Sequence, residues 1–96
     1  MKKHQYRITV EHLTNKDGQP VQPPATLKFE VGNHDDIFGV VERVRQRSDF
    51  SPSSATAFAV GLKLFSEVML ENKNNPLFSE FIPHFGRFMS CLKSSA

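Results

Sequence analysis

Ninety-six residues with 39% apolar content make one globular domain with little core to spare, and a formal charge of +2 is too small to point to nucleic acid, a membrane surface or an acidic substrate. A single cysteine, Cys91, excludes an internal disulfide framework and a cysteine-based zinc site. Nine phenylalanines and no tryptophan predict a core built on phenylalanine, most of it supplied by the second half of the chain.

Met1-Lys2-Lys3 has the basic start of a secretory signal, but Arg7 and Glu11 interrupt the apolar run such a signal needs, so a cytoplasmic protein is expected. His4 to Leu13 alternates with period two, Tyr6, Ile8 and Val10 on one face and Arg7, Thr9 and Glu11 on the other, the mark of a half-buried strand. From Thr14 to Pro24 the pattern stops among Asn15, Asp17-Gly18, Pro20 and Pro23-Pro24, which predicts a long mobile loop over 14–24. Alternation resumes with Leu27, Phe29 and Val31 inward. No helical crossover separates the two strands, so antiparallel pairing is expected.

Gly32-Asn33 turns the chain into a first helix over Asp35 to Arg47, with Ile37, Val41 and Val44 as its stripe. The stretch Ser51 to Lys73 is the longest helical pattern and is read as the central core helix. Ser51-Pro52 suits its start, and Phe58, Leu62, Phe65 and Met69 recur at i, i+4, i+7 and i+11. Ala57, Gly61, Leu64 and Val68 widen that stripe, while Thr56, Lys63, Glu67 and Glu71 form the solvent face. Gly61 inside a helix predicts another element pressed close against it. Lys63, Glu67 and Glu71 cut the apolar run short of the roughly 18 residues of a membrane span, which excludes one.

After Asn74-Asn75-Pro76 the helical spacing continues through Phe78, Phe85, Phe88 and Leu92, with Pro83 inside it predicting a kink or a split. The predicted fold is α+β: an antiparallel two-stranded hairpin covered on one face by three helices, in the order β-β-α-α-α, within a single compact domain. Two strands leave both sheet edges open, a geometry that dimerisation through an edge would resolve.

The segments MKKHxYRITVE at the start, FEVGNHDDIFxVVExVR after the loop, GLKLFSEVML in the central helix, and NPLF with PHFxxFM near the end are similar to a family of short bacterial proteins known as a domain of unknown function. The resemblance covers nearly the whole chain except Thr14–Pro24. It implies a bacterial cytoplasmic protein of one compact domain and carries no activity, cofactor or catalytic residue.

The residues themselves assemble no catalytic, cofactor or metal site. Asn33-His34-Asp35-Asp36 has an imidazole and two carboxylates, but neighbours on a helix point about 100° apart, so the cluster reads as an N-cap with acids in the first turn. Arg43, Arg45 and Arg47, with Lys63 and Lys73, read as a solvated helix end, since no glycine-rich loop or aromatic interleaving accompanies them. His4, Tyr6 and His12 share a strand face and read as a structural pair or frayed strand end. His84 reads as a cap at the Pro83 kink, and Cys91 as a small packing residue. The function expected is a non-enzymatic interaction module that self-associates as a homodimer, with a protein partner allowed and membrane excluded. The alternative is weak nucleic-acid or phosphate binding through the Arg43–Arg47 helix; an enzyme ranks last.

Overall fold

The computed structural model describes residues 2–94; Met1, Ser95 and Ala96 lie outside the described residues. The elements run β1 (His4–Thr14), β2 (Pro20–Asn33), α1 (Ile37–Arg45), α2 (Pro52–Glu71), α3 (Pro76–Ser79) and α4 (Ile82–Ser94). This is the expected α+β order, a two-stranded antiparallel sheet followed by helices, with the last predicted helix divided in two. Where the sequence predicts one compact domain, the contacts define two compact units, Met1–His34 and Asp35–Ala96.

The first unit is a long hairpin. Tyr6 pairs with Val31, Ile8 with Phe29 and Val10 with Leu27, so the alternating apolar residues of both strands line up on one face. Arg7 and Glu30 pair on the other face at 2.8 Å, exposed on both sides and worth little to stability. Tyr6, Ile8 and Val31 are half-buried, whereas Val10 and Leu27, nearer the turn, are 54% and 60% exposed.

The segment 14–24, expected as a loop, is largely strand. β1 continues to Thr14 and β2 starts at Pro20, leaving a connection of residues 15–19. Asn15 holds it: its Oδ1 accepts from the N–H groups of Asp17 (2.9 Å) and Gln19 (3.0 Å), and its own N–H donates to the Gln19 carbonyl at 2.8 Å. Gly18 supplies the positive φ of 83° that closes the turn. Pro20, Pro23 and Pro24 read as loop residues because a proline has no N–H to give to a ladder. In a two-stranded sheet each strand is an edge, so that N–H is not missed on the outer side. A register shift between His12 and Thr14 absorbs the mismatch near the turn.

Helices α1, α2 and α3 each begin on a side-chain cap. Asp36 Oδ1 accepts from Phe38 N at 3.1 Å and starts α1, so neither Asp35 nor Asp36 sits in the first turn as expected. Ser51 Oγ accepts from Ser54 N at 3.3 Å ahead of Pro52, and Asn75 Oδ1 accepts from Leu77 N at 2.9 Å ahead of Pro76. The chain breaks at Glu80-Phe81, before Pro83 and not at it. Pro83 is the second residue of α4, where no intrahelical N–H bond is lost.

The core is not built on phenylalanine. Its buried apolar members are Ile37, Val44, Ala55, Ala59 and Met69, with Val40, Val41, Phe50 and Phe58 packed against the Val44–Ala55–Ala59 cluster. Ala55 and Ala59 are one turn apart on α2 and face α1, where only small side chains let two helices approach closely. The buried side of α2 is thereby turned one residue round from the Phe58–Phe65 stripe, and Phe65 is 44% exposed. The expected solvent face holds at Thr56 and Glu71, which are exposed, and is corrected at the other two positions: Glu67 is buried, and Lys63 pairs with Asp35 at 2.5 Å. Gly61 has no neighbour pressed against it, since a Cβ there would meet nothing within 4 Å. By length and composition α2 is long and apolar enough to cross a membrane, although the sequence reading counts its charges as interruptions. Core helices of soluble proteins pass the same test; in α2, 33% of the apolar window is buried, and Ala55, Ala59, Ser66, Glu67 and Met69 are its buried residues.

Candidate functional site

The clusters singled out in sequence are mostly dispersed by the fold. Asn33 is buried at the end of β2, His34 is exposed, Asp36 caps α1, and Asp35 turns to Lys63 on α2. Among the described residues no group of three or more His, Cys, Asp and Glu side chains is placed to hold a metal ion. His4 and Tyr6 come together, their rings stacked at 6.2 Å, while His12 lies further out and exposed. His84 Nδ1 lies 2.9 Å from Arg87 Nη2, one turn along α4. Cys91 is exposed on the rim of a small hollow of about 180 Å³ formed with Arg47, Phe50, Phe58, Phe88 and Leu92, not packed as an apolar residue.

Arg47 lies beyond the end of α1 and acts as a staple. Its Nε and Nη2 donate to the Asp49 carboxylate at 2.9 and 2.7 Å, and its Nη1 donates to the Leu92 carbonyl of α4 at 3.1 Å. The guanidinium also sits over the Phe50 ring, 5.8 Å from its centroid. The two-pronged bond to Asp49 lowers the Asp49 carboxyl and raises the Arg47 guanidinium.

Two grooves result. The first, about 360 Å³, runs between α1, α2 and α4 over a floor of Val40, Val44, Leu62, Met89 and Leu92, and its rim carries Asp35, Arg43, Arg47, Lys63 and Lys93. Arg45 and Lys73, part of the basic set read from sequence, do not line it; Lys93, which that reading passed over, does. Helical spacing could have placed Lys93 one turn beyond Met89 on the same face of α4.

The Lys63 hydrogen bond outweighs desolvation and the nearby Glu67 charge, and holds the Asp35 carboxyl below its ordinary 3.8. A depressed folded-state pKa means that the pair stabilises above pH 3.8, and that its contribution is lost as pH falls through the folded value. The difference in denaturation midpoint between wild type and Asp35→Asn is therefore expected to be present at pH 6, to shrink below about pH 4, and to weaken with added salt. A difference that persists unchanged at pH 2 would remove the ion pair as its cause.

The second groove, about 380 Å³, is aromatic: Phe58, Gly61, Leu62, Phe65, Phe81, His84, Phe85 and Phe88 line it between α2 and α4. Phe65 meets the rings of Phe78, Phe81 and Phe85 edge-on at 6.1, 6.1 and 6.3 Å, and Phe58 meets Phe88 at 6.1 Å. The rings pack against one another but not out of solvent: Phe65, Phe81 and Phe88 are each more than two-fifths exposed. At 100° per residue, Ala57, Gly61, Leu64 and Val68 fall on the side of α2 opposite Ala55, Ala59 and Ser66 and extend this face along the helix. Sequence reading noticed the width of the apolar girdle and assigned all of it to the core.

No curated protein matches the chain. Among solved structures, the crystal structure of a protein of unknown function from Pectobacterium atrosepticum is 41% identical with a TM-score of 0.82, over 97% of this chain and 99% of that one. A family model matches residues 4–94, so the chain belongs to DUF3861, a domain of unknown function with a solved structure.

Proposed function

We propose that this chain is a non-enzymatic interaction module of the bacterial cytoplasm that works as a homodimer. The observation supporting it is the distribution of apolar surface in the helical unit. Among the described residues five apolar ones are buried there, while Phe38, Phe65, Val68, Leu70, Leu77, Phe81 and Phe88 stand exposed. Large side chains in a contiguous aromatic face are costly to hydrate, and such faces mark association sites. Three of the acidic groups near α1 have a structural occupation: Asp36 caps, Asp35 holds Lys63, and Asp49 holds Arg47. Sedimentation from low to high micromolar concentration is expected to show conversion from one chain to two, little affected by salt. A single-chain mass throughout overturns the reading.

The cationic rim of the first groove favours a second reading, a phosphate-bearing ligand held along α1. Arg47 and Lys63 are paired with Asp49 and Asp35, which leaves Arg43 and Lys93 as the groups to meet it. Binding of that kind would fall steeply as salt rises, unlike apolar association.

A further inference from the structure

Resting on that reading, we propose that the partner is a second copy of this chain, docked α2 against α2 across a two-fold axis, with Gly61 at the point of closest approach. Glycine in the middle of a 20-residue helix weakens it, and Gly61 has no reason for this within its own chain. Its φ is not positive, and a Cβ there would meet nothing within 4 Å. A missing side chain on an otherwise apolar face lets a second helix backbone come close.

The area fits a dimer. With about 200 Å² for a whole phenylalanine, the exposed 44% of Phe65, 43% of Phe81, 44% of Phe88 and 49% of Val68 amount, with the half-buried Phe58, Leu64 and Phe85, to on the order of 500 Å² of apolar surface. A standard interface takes about 800 Å² from each partner, a little over half of it apolar. The face supplies that share, and His84 and Arg87 provide polar groups at its edge.

The charge pattern fits a copy better than any other occupant. A two-fold contact sets each patch against itself, so like charges at its centre would repel. Ala57, Gly61, Leu64, Phe65 and Val68 are all uncharged, and the charged Lys63 and Glu67 lie on other sides of α2. Glu71, on the Leu64 and Val68 side, is the charged residue of α2 nearest this face, and it stands at the helix end, ten residues from Gly61, so the centre of the contact is uncharged.

The test uses the whole chain and three variants. Gly61→Leu is expected to raise the dimer dissociation constant by about a hundredfold, and Gly61→Ala by a smaller factor. Diluted to the single-chain state, Gly61→Ala is expected to unfold at higher denaturant than wild type, because it gains helix propensity without a clash. Gly61→Cys in a Cys91→Ser background is expected to form an intermolecular disulfide on oxidation, which needs the two Cα atoms within about 7 Å. A wild-type dimer that survives Gly61→Leu with its affinity unchanged, together with no cross-link from Gly61→Cys, overturns the α2 contact and leaves self-association standing. A wild type that is single at every concentration overturns both. Co-sedimentation of a single-chain wild type with phosphatidylcholine vesicles would assign the face to lipid and overturn the second copy.

Discussion

Met69→Ala is expected to lower the unfolding free energy by about 2–5 kcal/mol, the range for a buried methionine that leaves a cavity behind. Met69 is the largest apolar side chain that is fully buried, so the contacts it makes have no solvent to replace them. Against a total stability of about 5–15 kcal/mol, the variant sits near the edge of folding. Phe65→Ala, by contrast, is expected to cost about 1–2 kcal/mol when measured in the dilute single-chain state, because roughly half of the ring is already in water. Urea denaturation of both variants decides the phase of α2. A larger loss at Phe65 than at Met69 under those conditions would mean that the aromatic stripe, not the alanine side, faces the core.

Ala59→Leu is expected to destabilise by about 1–3 kcal/mol or more, the cost of forcing methylenes into a packed core. Ala59 has no exposed surface, and Val44, Ala55 and the flanking Val40 and Val41 leave α1 no room to retreat without losing its own burial. Ala57→Leu, two residues away on the exposed side, is expected to change the dilute-state midpoint by less than about 0.5 kcal/mol. Equal effects at the two positions would mean that α1 and α2 are not in close contact at Ala59.

These expectations bear on function through one geometric fact. The helical unit spends its small residues on its internal contact and leaves its large rings at the surface. A lone chain that did so without purpose would expose an aromatic face to no gain. With a second copy on that face, the rings become the centre of an interface and the missing side chain at Gly61 has a use.

The sequence by itself determined the elements. Period-two alternation in Tyr6-Ile8-Val10 and Leu27-Phe29-Val31, the helix start at Ser51-Pro52, the break at Asn74-Asn75-Pro76, and the helical spacing from Phe58 to Met69 are local properties, and the structure reproduces each. It also announced the family, through motifs spread along nearly the whole chain. Only the tertiary structure decided the rest, because each remaining question turned on a neighbour distant in sequence. Prolines at 20, 23 and 24 signal a loop unless the strand has an open edge, and only pairing shows that it does. A helix apolar on most sides does not say which side is covered. That was set by α1, whose valines fit against Ala55 and Ala59 and turned Phe65 outward. Lys63 and Glu67 look like solvent residues until Asp35, 28 positions before Lys63 in the chain, is brought to one of them. Side-chain charge and size are written locally, but burial belongs to pairs of elements, and it was burial that separated core from candidate interface.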